Sequence, residues 1–127
     1  MTQEEKDLLL KDLSSRLPYG VILNCCNLVG EKLYTIDSNG LVNNDYDLEE
    51  VKPYLFPFSS MTEEQLYNNP IGFSQMLTIK ADRDWENITI NRRSYYKLVD
   101  WFNKYHFDYR GLIPMGLAKD ATGLNIY

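Results

Sequence analysis

The residues able to do chemistry are few. The one histidine, His106, lies in the run His106-Phe107-Asp108-Tyr109-Arg110. A histidine oriented by a carboxylate can serve as a general base. Residues two apart face different ways on a helix, so only a turn could bring His106 and Asp108 together. A structural reading competes with it. His106 closes a helix whose C-terminal dipole suits its ring, Asp108 caps the next turn, and Arg110 ties the loop to a carboxylate or to carbonyls. No nucleophile, base and orienting group stand out as a set, which favours the structural reading. Cys25 and Cys26 are adjacent. Neighbours on a strand face opposite ways, and a bridge between them would distort the backbone. They read as two reduced thiols on a half-buried strand. One histidine and two adjacent cysteines do not make a tetrahedral zinc set. Asp82-Arg83-Asp84-Trp85-Glu86-Asn87 opens like a calcium loop, but its sixth position lacks glycine and Arg93 stands where the closing glutamate belongs. Gly111, Gly116 and Gly123 match neither a phosphate loop nor a dinucleotide fingerprint, and no Gly-x-Ser-x-Gly elbow occurs. The expectation is a chain with no cofactor and no metal.

Binding chemistry has more support. In Arg92-Arg93-Ser94-Tyr95-Tyr96-Lys97, arginines next to tyrosines could hold phosphates while rings stack on bases. The helical stripe assigns Tyr95 to the core, leaving Arg92, Arg93, Tyr96 and Lys97, with Arg110, as the candidate interaction residues. Arg92 and Arg93 open a helix, where the dipole disfavours cations. That cost hints at a partner, such as carboxylates of the acidic half. Residues 37–64 carry seven acids against Lys52 alone, and residues 65–127 carry eight bases against six acids. An acidic face could meet a basic partner or mimic nucleic acid; a solvated face that keeps the chain soluble is the plainer reading. Ten tyrosines, five phenylalanines and two tryptophans also suit an interface. Tyr54, Phe56 and Phe58, set about Pro53 and Pro57, either form an exposed patch or cover a sheet. The second is preferred, because exposed apolar patches are rare in monomers.

The elements that must position these residues follow from caps and periodicity. Thr2 with Glu5 forms a capping box, and Leu9, Leu10, Leu13 and Leu17 make the apolar stripe of a first helix. Leu17-Pro18 ends it, since the residue before proline is pushed from helical space. Val21–Cys26 and Lys32–Ile36 read as strands joined about Val29-Gly30-Glu31. Asn39-Gly40 signals a hairpin leading to a short strand at Leu41-Val42. Residues 45–51 fit a strand or a loop. Tyr54-Leu55-Phe56, between its prolines, reads as an extended segment laid across a core edge. Thr62 caps a second helix, with Gln65 as box partner and Met61 stapled on Leu66; Asn68-Asn69-Pro70 stops it. Phe73–Lys80 and Trp85–Ile90 read as a hairpin turning at Asp82-Arg83-Asp84. Asn91 or Ser94 caps a third helix that ends near His106, with Tyr95, Leu98, Val99, Phe102 and Tyr105 as its buried stripe. Residues 108–127 hold one helical turn and a last strand at Leu124-Asn125-Ile126-Tyr127. Strands and helices without regular alternation make the fold class α+β, a single domain with an antiparallel sheet and about three helices.

The chain has 127 residues and a net charge of −5. That length suits one domain with a real core, and that charge argues against a general nucleic-acid coat. No window reaches the roughly 20 apolar residues of a membrane helix. The polar, acidic start lacks the basic-then-apolar order of a secretory signal. The expected compartment is the cytoplasm, unless a leader has been lost from this start; without a secretory route the sequon Asn87-Ile88-Thr89 carries no meaning.

Three segments carry a resemblance. They are Met1-Thr2-Gln3-Glu4-Glu5-Lys6 leading to Arg16-Leu17-Pro18-Tyr19-Gly20-Val21; Glu49-Glu50-Val51-Lys52-Pro53-Tyr54-Leu55 with Ser59-Ser60-Met61-Thr62-Glu63-Glu64; and His106-Phe107-Asp108-Tyr109-Arg110-Gly111-Leu112-Ile113. Together they resemble a group of small uncharacterised proteins of gut Bacteroides-type bacteria and their phages. The resemblance implies a bacterial or phage cytoplasmic protein and brings no site residue with it. Three functional readings stand. The first is a non-enzymatic binding or accessory protein acting on a protein partner through a surface, for example a host-directed inhibitor or regulator. The alternative is a small nucleic-acid binder using Arg92, Arg93, Lys97 and Arg110. The third is an enzyme with its site near His106.

Overall fold

The computed structural model describes residues 1–27, 30–35, 51–82, 85 and 91–127. The first helix, α1, spans Gln3–Arg16. Its start is the capping box: Thr2 Oγ1 accepts from the Glu5 amide at 3.1 Å and Glu5 Oε1 accepts from the Thr2 amide at 3.0 Å. Leu9 and Leu13 are fully buried, whereas Leu10 is exposed. Leu17 keeps helical angles (φ −51°, ψ −42°) and donates to Ser14 O. The helix therefore ends because Pro18 has no amide hydrogen to continue the ladder, not because Leu17 is displaced.

Strand β1 (Ile22–Asn27) pairs antiparallel with β2 (Gly30–Thr35) and with β3 (Val51–Leu55). A two-residue strand β4 (Lys119–Asp120) runs parallel to β3, giving the order β2-β1-β3-β4. The sheet is thus mixed rather than purely antiparallel. Asn27 pairs with Gly30 and Cys26 with Glu31, so Gly30 and Glu31 belong to β2 and not to a turn; Val29 lies outside the described residues. Val51–Leu55 is an interior strand, not a segment across a core edge. Pro53 is tolerated there because β4 reaches only Tyr54 and Leu55, so that among the described residues no strand flanks β3 on that side at the proline. The hairpin expected at Asn39-Gly40, the strand at Leu41-Val42 and most of 45–51 lie outside the described residues.

A 3₁₀ turn, Phe58–Ser60, leads to α2 (Glu63–Tyr67), with its box of Thr62 and Gln65 in place. Phe73–Asp82 is a helix, α3, and not a strand. Met76 and Ile79 are its fully buried positions, three apart as a helix requires and a strand forbids. Gly72, at φ +103°, turns the chain into it, and Asn69 Oδ1 accepts from the Ile71 and Gly72 amides at 3.0 and 2.7 Å. Trp85 sits in a 3₁₀ turn; residues 86–90 of the expected second strand lie outside the described residues. The last helix, α4, spans Arg92–Lys104, capped by Asn91 Oδ1 on the Ser94 amide at 2.8 Å. The described residues thus hold four α-helices in an α+β fold. Residues 124–127 form no strand.

Two apolar clusters hold these elements. One joins Phe58, Met61, Leu66, Met76, Ile79, Trp85, Leu98, Trp101, Phe102, Phe107 and Tyr109 beneath α2, α3 and α4. The other joins Leu9, Leu13, Val21, Leu23, Leu55, Leu112, Leu117 and Ala118 between α1 and the sheet. Among the described residues no helix is long and apolar enough to cross a membrane.

Candidate functional site

The buried stripe of α1 carries charge. Asp12 and Arg16, one turn apart, are as fully buried as Leu9 and Leu13. Arg16 Nε and Nη2 donate to the two Asp12 oxygens at 2.8 and 3.1 Å, and Nη2 also donates to Phe107 O at 2.7 Å. Arg110 joins from the far end of the chain: its Nη1 donates to Asp12 Oδ1 at 2.8 Å and its Nη2 to Ser15 Oγ at 3.2 Å. The Tyr109 ring lies 5.2 Å from one guanidinium and 4.6 Å from the other. A buried ion pair persists when most of its hydrogen bonds are made; two guanidiniums on one carboxylate supply most of them, and of these groups only Arg16 Nη1 is left buried without a partner among the described residues. Arg110 is therefore an internal fastener, not part of a basic outer face.

His106 and Asp108 do not form an orienting pair. Asp108 Oδ1 accepts from the Leu112 amide at 2.8 Å and Oδ2 from the Ile113 amide at 2.9 Å. Burial raises this carboxyl's pKa, and the two amides oppose the rise. His106 takes positive φ, +63°, and its ring stacks on Tyr127 at 3.7 Å between centroids. Its Nδ1 is buried and has no partner among the described residues. Burial, aided by nearby Arg16, pushes the imidazole down to about 4, so the ring is neutral at pH 7. The Tyr127 hydroxyl accepts from the Ile22 amide at 2.8 Å and donates to Tyr54 O at 2.7 Å, pinning the tail across β1 and β3.

Tyr54 and Phe56 are likewise internal. Tyr54 is buried, and Asn24 Nδ2 donates to its hydroxyl at 3.1 Å. Phe56 is half-buried against Tyr127 and Phe107, at 5.8 and 6.4 Å between centroids. They cover the sheet and do not form an outward patch.

That leaves Arg92, Arg93, Tyr96 and Lys97, which α4 brings to one exposed face through its i, i+4 spacing. Among the described residues none of the three cations meets a carboxylate. Asp100, further along the helix, accepts from the Tyr19 hydroxyl at 2.6 Å. Tyr96 is 65% exposed and Tyr95 41%. The stripe expected to bury Tyr95 and Tyr105 instead centres on Leu98, Trp101 and Phe102. Tyr95 is still anchored: it stacks on buried Trp85 at 5.5 Å and 25°, and meets Tyr96 edge-on at 5.9 Å. Trp85 Nε1 in turn donates to Tyr109 O at 2.9 Å. A ladder of three rings thus runs from the core to the basic face.

Two clefts among the described residues are small. One, of about 70 Å³, is lined by Pro57, Phe58, Asp108, Tyr109, Gly111 and Ile113. The other, of about 100 Å³, lies between Phe56, Ser60, Thr62, Gln65 and Phe107. Small-molecule sites run to roughly 300–1,000 Å³. Among the described residues no histidine, cysteine and carboxylate group could hold a metal ion. Compared with known proteins, the chain matches no family model, no curated protein and no solved structure.

Sequence reasoning missed the part played by Asp12, Arg16 and Tyr127. The i, i+4 spacing of Asp12 and Arg16, in phase with Leu9 and Leu13, was the available signal. Tyr127 had none, since its partners lie 105 and 73 positions away.

Proposed function

We propose that this chain is a non-enzymatic binding protein that engages an anionic partner through the outer face of α4. The observation that carries this reading is Tyr96, 65% exposed among Arg92, Arg93 and Lys97, with no carboxylate on those cations among the described residues. Cations at a helix start oppose the dipole, and like charges at i, i+4 repel. A sequence that keeps both costs with no compensating carboxylate among the described residues fits a surface shaped by something outside the fold. Among the described residues, Arg110 is held by Asp12, Asp108 accepts from two amides, and the His106 ring is stacked on Tyr127. The resemblance to Bacteroides-type and phage proteins makes a host-directed regulator one form of this reading.

Photo-crosslinking tests it. Tyr96→p-benzoylphenylalanine in the producing cells should give one dominant adduct that disappears when R92E and R93E are added. Adducts that survive the charge reversal, or that form only from a control position such as Tyr67, would overturn it.

A further inference from the structure

The α4 face carries more than positive charge, and a finer assignment of its ligand rests on its being the working surface. A purely electrostatic contact needs no aromatic rings, and a flexible exposed tyrosine would offer little. Here Tyr96 is braced edge-on by Tyr95, Tyr95 lies flat on Trp85, and Trp85 is 4% exposed and hydrogen-bonded to Tyr109 O. The two outer rings are therefore held in place before any ligand arrives, which lowers the ordering cost of binding. Both still offer surface to solvent, 41% of Tyr95 and 65% of Tyr96.

We propose that this face binds single-stranded nucleic acid, with bases stacking on Tyr95 and Tyr96 and phosphates meeting Arg92, Arg93 and Lys97. The occupant is chosen by charge and shape together. Pre-set aromatic rings beside cations that meet no carboxylate among the described residues suit a ligand that brings flat bases and negative charges in alternation. Bases inside a duplex are already stacked and cannot reach the rings. An acidic polypeptide supplies the charge but brings flat groups only where its sequence happens to carry aromatic residues, whereas a single strand brings one with every phosphate. Arg92 to Lys97 spans about 7.5 Å of helix axis, the length of about two nucleotides. The patch is thus small, and the chain's net charge of −5 opposes any wider footprint. Binding is expected to be weak, short in site size and salt-sensitive.

The test uses the full chain and a fluorescein-labelled oligothymidylate of about 15 nucleotides, read by anisotropy. Three phosphate contacts on a single strand give a log–log salt slope near −2, so affinity should fall roughly twenty-fold between about 50 and 200 mM salt. R92E/R93E should lose most of the binding and most of the slope. Y96A should weaken binding about ten-fold, while Y96F, which keeps the ring, should bind like the parent. Circular dichroism melts confirm that each variant is folded. The proposal is overturned by any of three results: no anisotropy change at about 50 mM salt, a duplex bound as tightly as the single strand, or binding indifferent to Y96A. Poly-glutamate separates the two levels. If it binds in an Arg92- and Arg93-dependent way while the oligonucleotide does not, the anionic-partner reading stands and the nucleic-acid assignment falls.

Discussion

Charge reversal at the start of α4 should make the protein more stable while removing the proposed binding. Arg92 and Arg93 occupy the first two positions of the helix, after the Asn91 cap. Cations there face the positive end of the dipole, and acids there are favoured by about 0.3–1 kcal/mol each. Arg93 and Lys97 are also a like-charge pair at i, i+4; a glutamate at 93 turns that repulsion into an attraction of about 0.2–0.5 kcal/mol. R92E/R93E should therefore gain about 1–2 kcal/mol. A chain of 127 residues unfolds with an entropy near 0.27 kcal/mol/K, so the melting temperature should rise by about 4–7 °C. Thermal melts followed by circular dichroism at low salt measure this directly. Repeating them near 1 M salt, where the Debye length is about 3 Å, should erase much of the gain. If the variant melts lower than the parent, Arg92 and Arg93 have partners within the fold, and the case for an outward-facing site collapses.

Three further outcomes are expected of the buried polar groups. Asp12→Ala should cost about 3–5 kcal/mol, because it strands the fully buried Arg16; urea unfolding measures it, and a loss under about 1 kcal/mol would mean that the pair is not desolvated. His106 is held near 4 in the fold against an ordinary 6.5, so it binds its proton more readily when unfolded: its contribution is whole above pH 6.5 and is lost as pH falls towards 4. The full shift is worth about 3 kcal/mol, which partial exposure of the ring reduces to about 1–2; His106→Asn, which tolerates the positive φ, should flatten the acid limb of the stability curve by that amount, and an unchanged limb would refute the assignment. Tyr127→Phe removes the acceptor of the Ile22 amide and should cost about 1–2 kcal/mol; hydrogen exchange should speed up at that amide, and unchanged protection would show that the clamp does not hold the sheet.

How much of this was legible in the sequence depended on the range of the contact. α1 and α2 could be read because their boxes, Thr2 with Glu5 and Thr62 with Gln65, sit within three residues. α3 could not. In Phe73-Ser74-Gln75-Met76-Leu77-Thr78-Ile79 both periods find apolar residues, and only burial separates Met76 and Ile79, which are inside, from Phe73 and Leu77, which are not. Its start depends on the Asn69 side chain and the positive φ of Gly72, which resemble any loop when read in order. β4 is two residues long and owes its existence to β3; no propensity marks it.

The same distinction of range governs the charged residues, and it decides which of them can serve a partner. Arg16, Arg92, Arg93 and Arg110 are alike as letters. Arg16 is committed by Asp12 four residues away, which spacing could suggest; Arg110 is committed to the same carboxylate across 98 positions, which nothing local could. One carboxylate on the buried face of α1 thus withdraws two of the chain's arginines from recognition and converts them into the joint between α1 and the segment after α4. Arg92 and Arg93 have no such carboxylate among the described residues, and their position on the helix works against them. Among the described residues the fold tucks Arg110 inside beside Asp12 and leaves Arg92, Arg93 and Lys97 exposed beside two braced tyrosines, which separates structural cations from available ones. The available set is where a partner should be sought, and Tyr96, the most exposed of those rings, is the residue to perturb first.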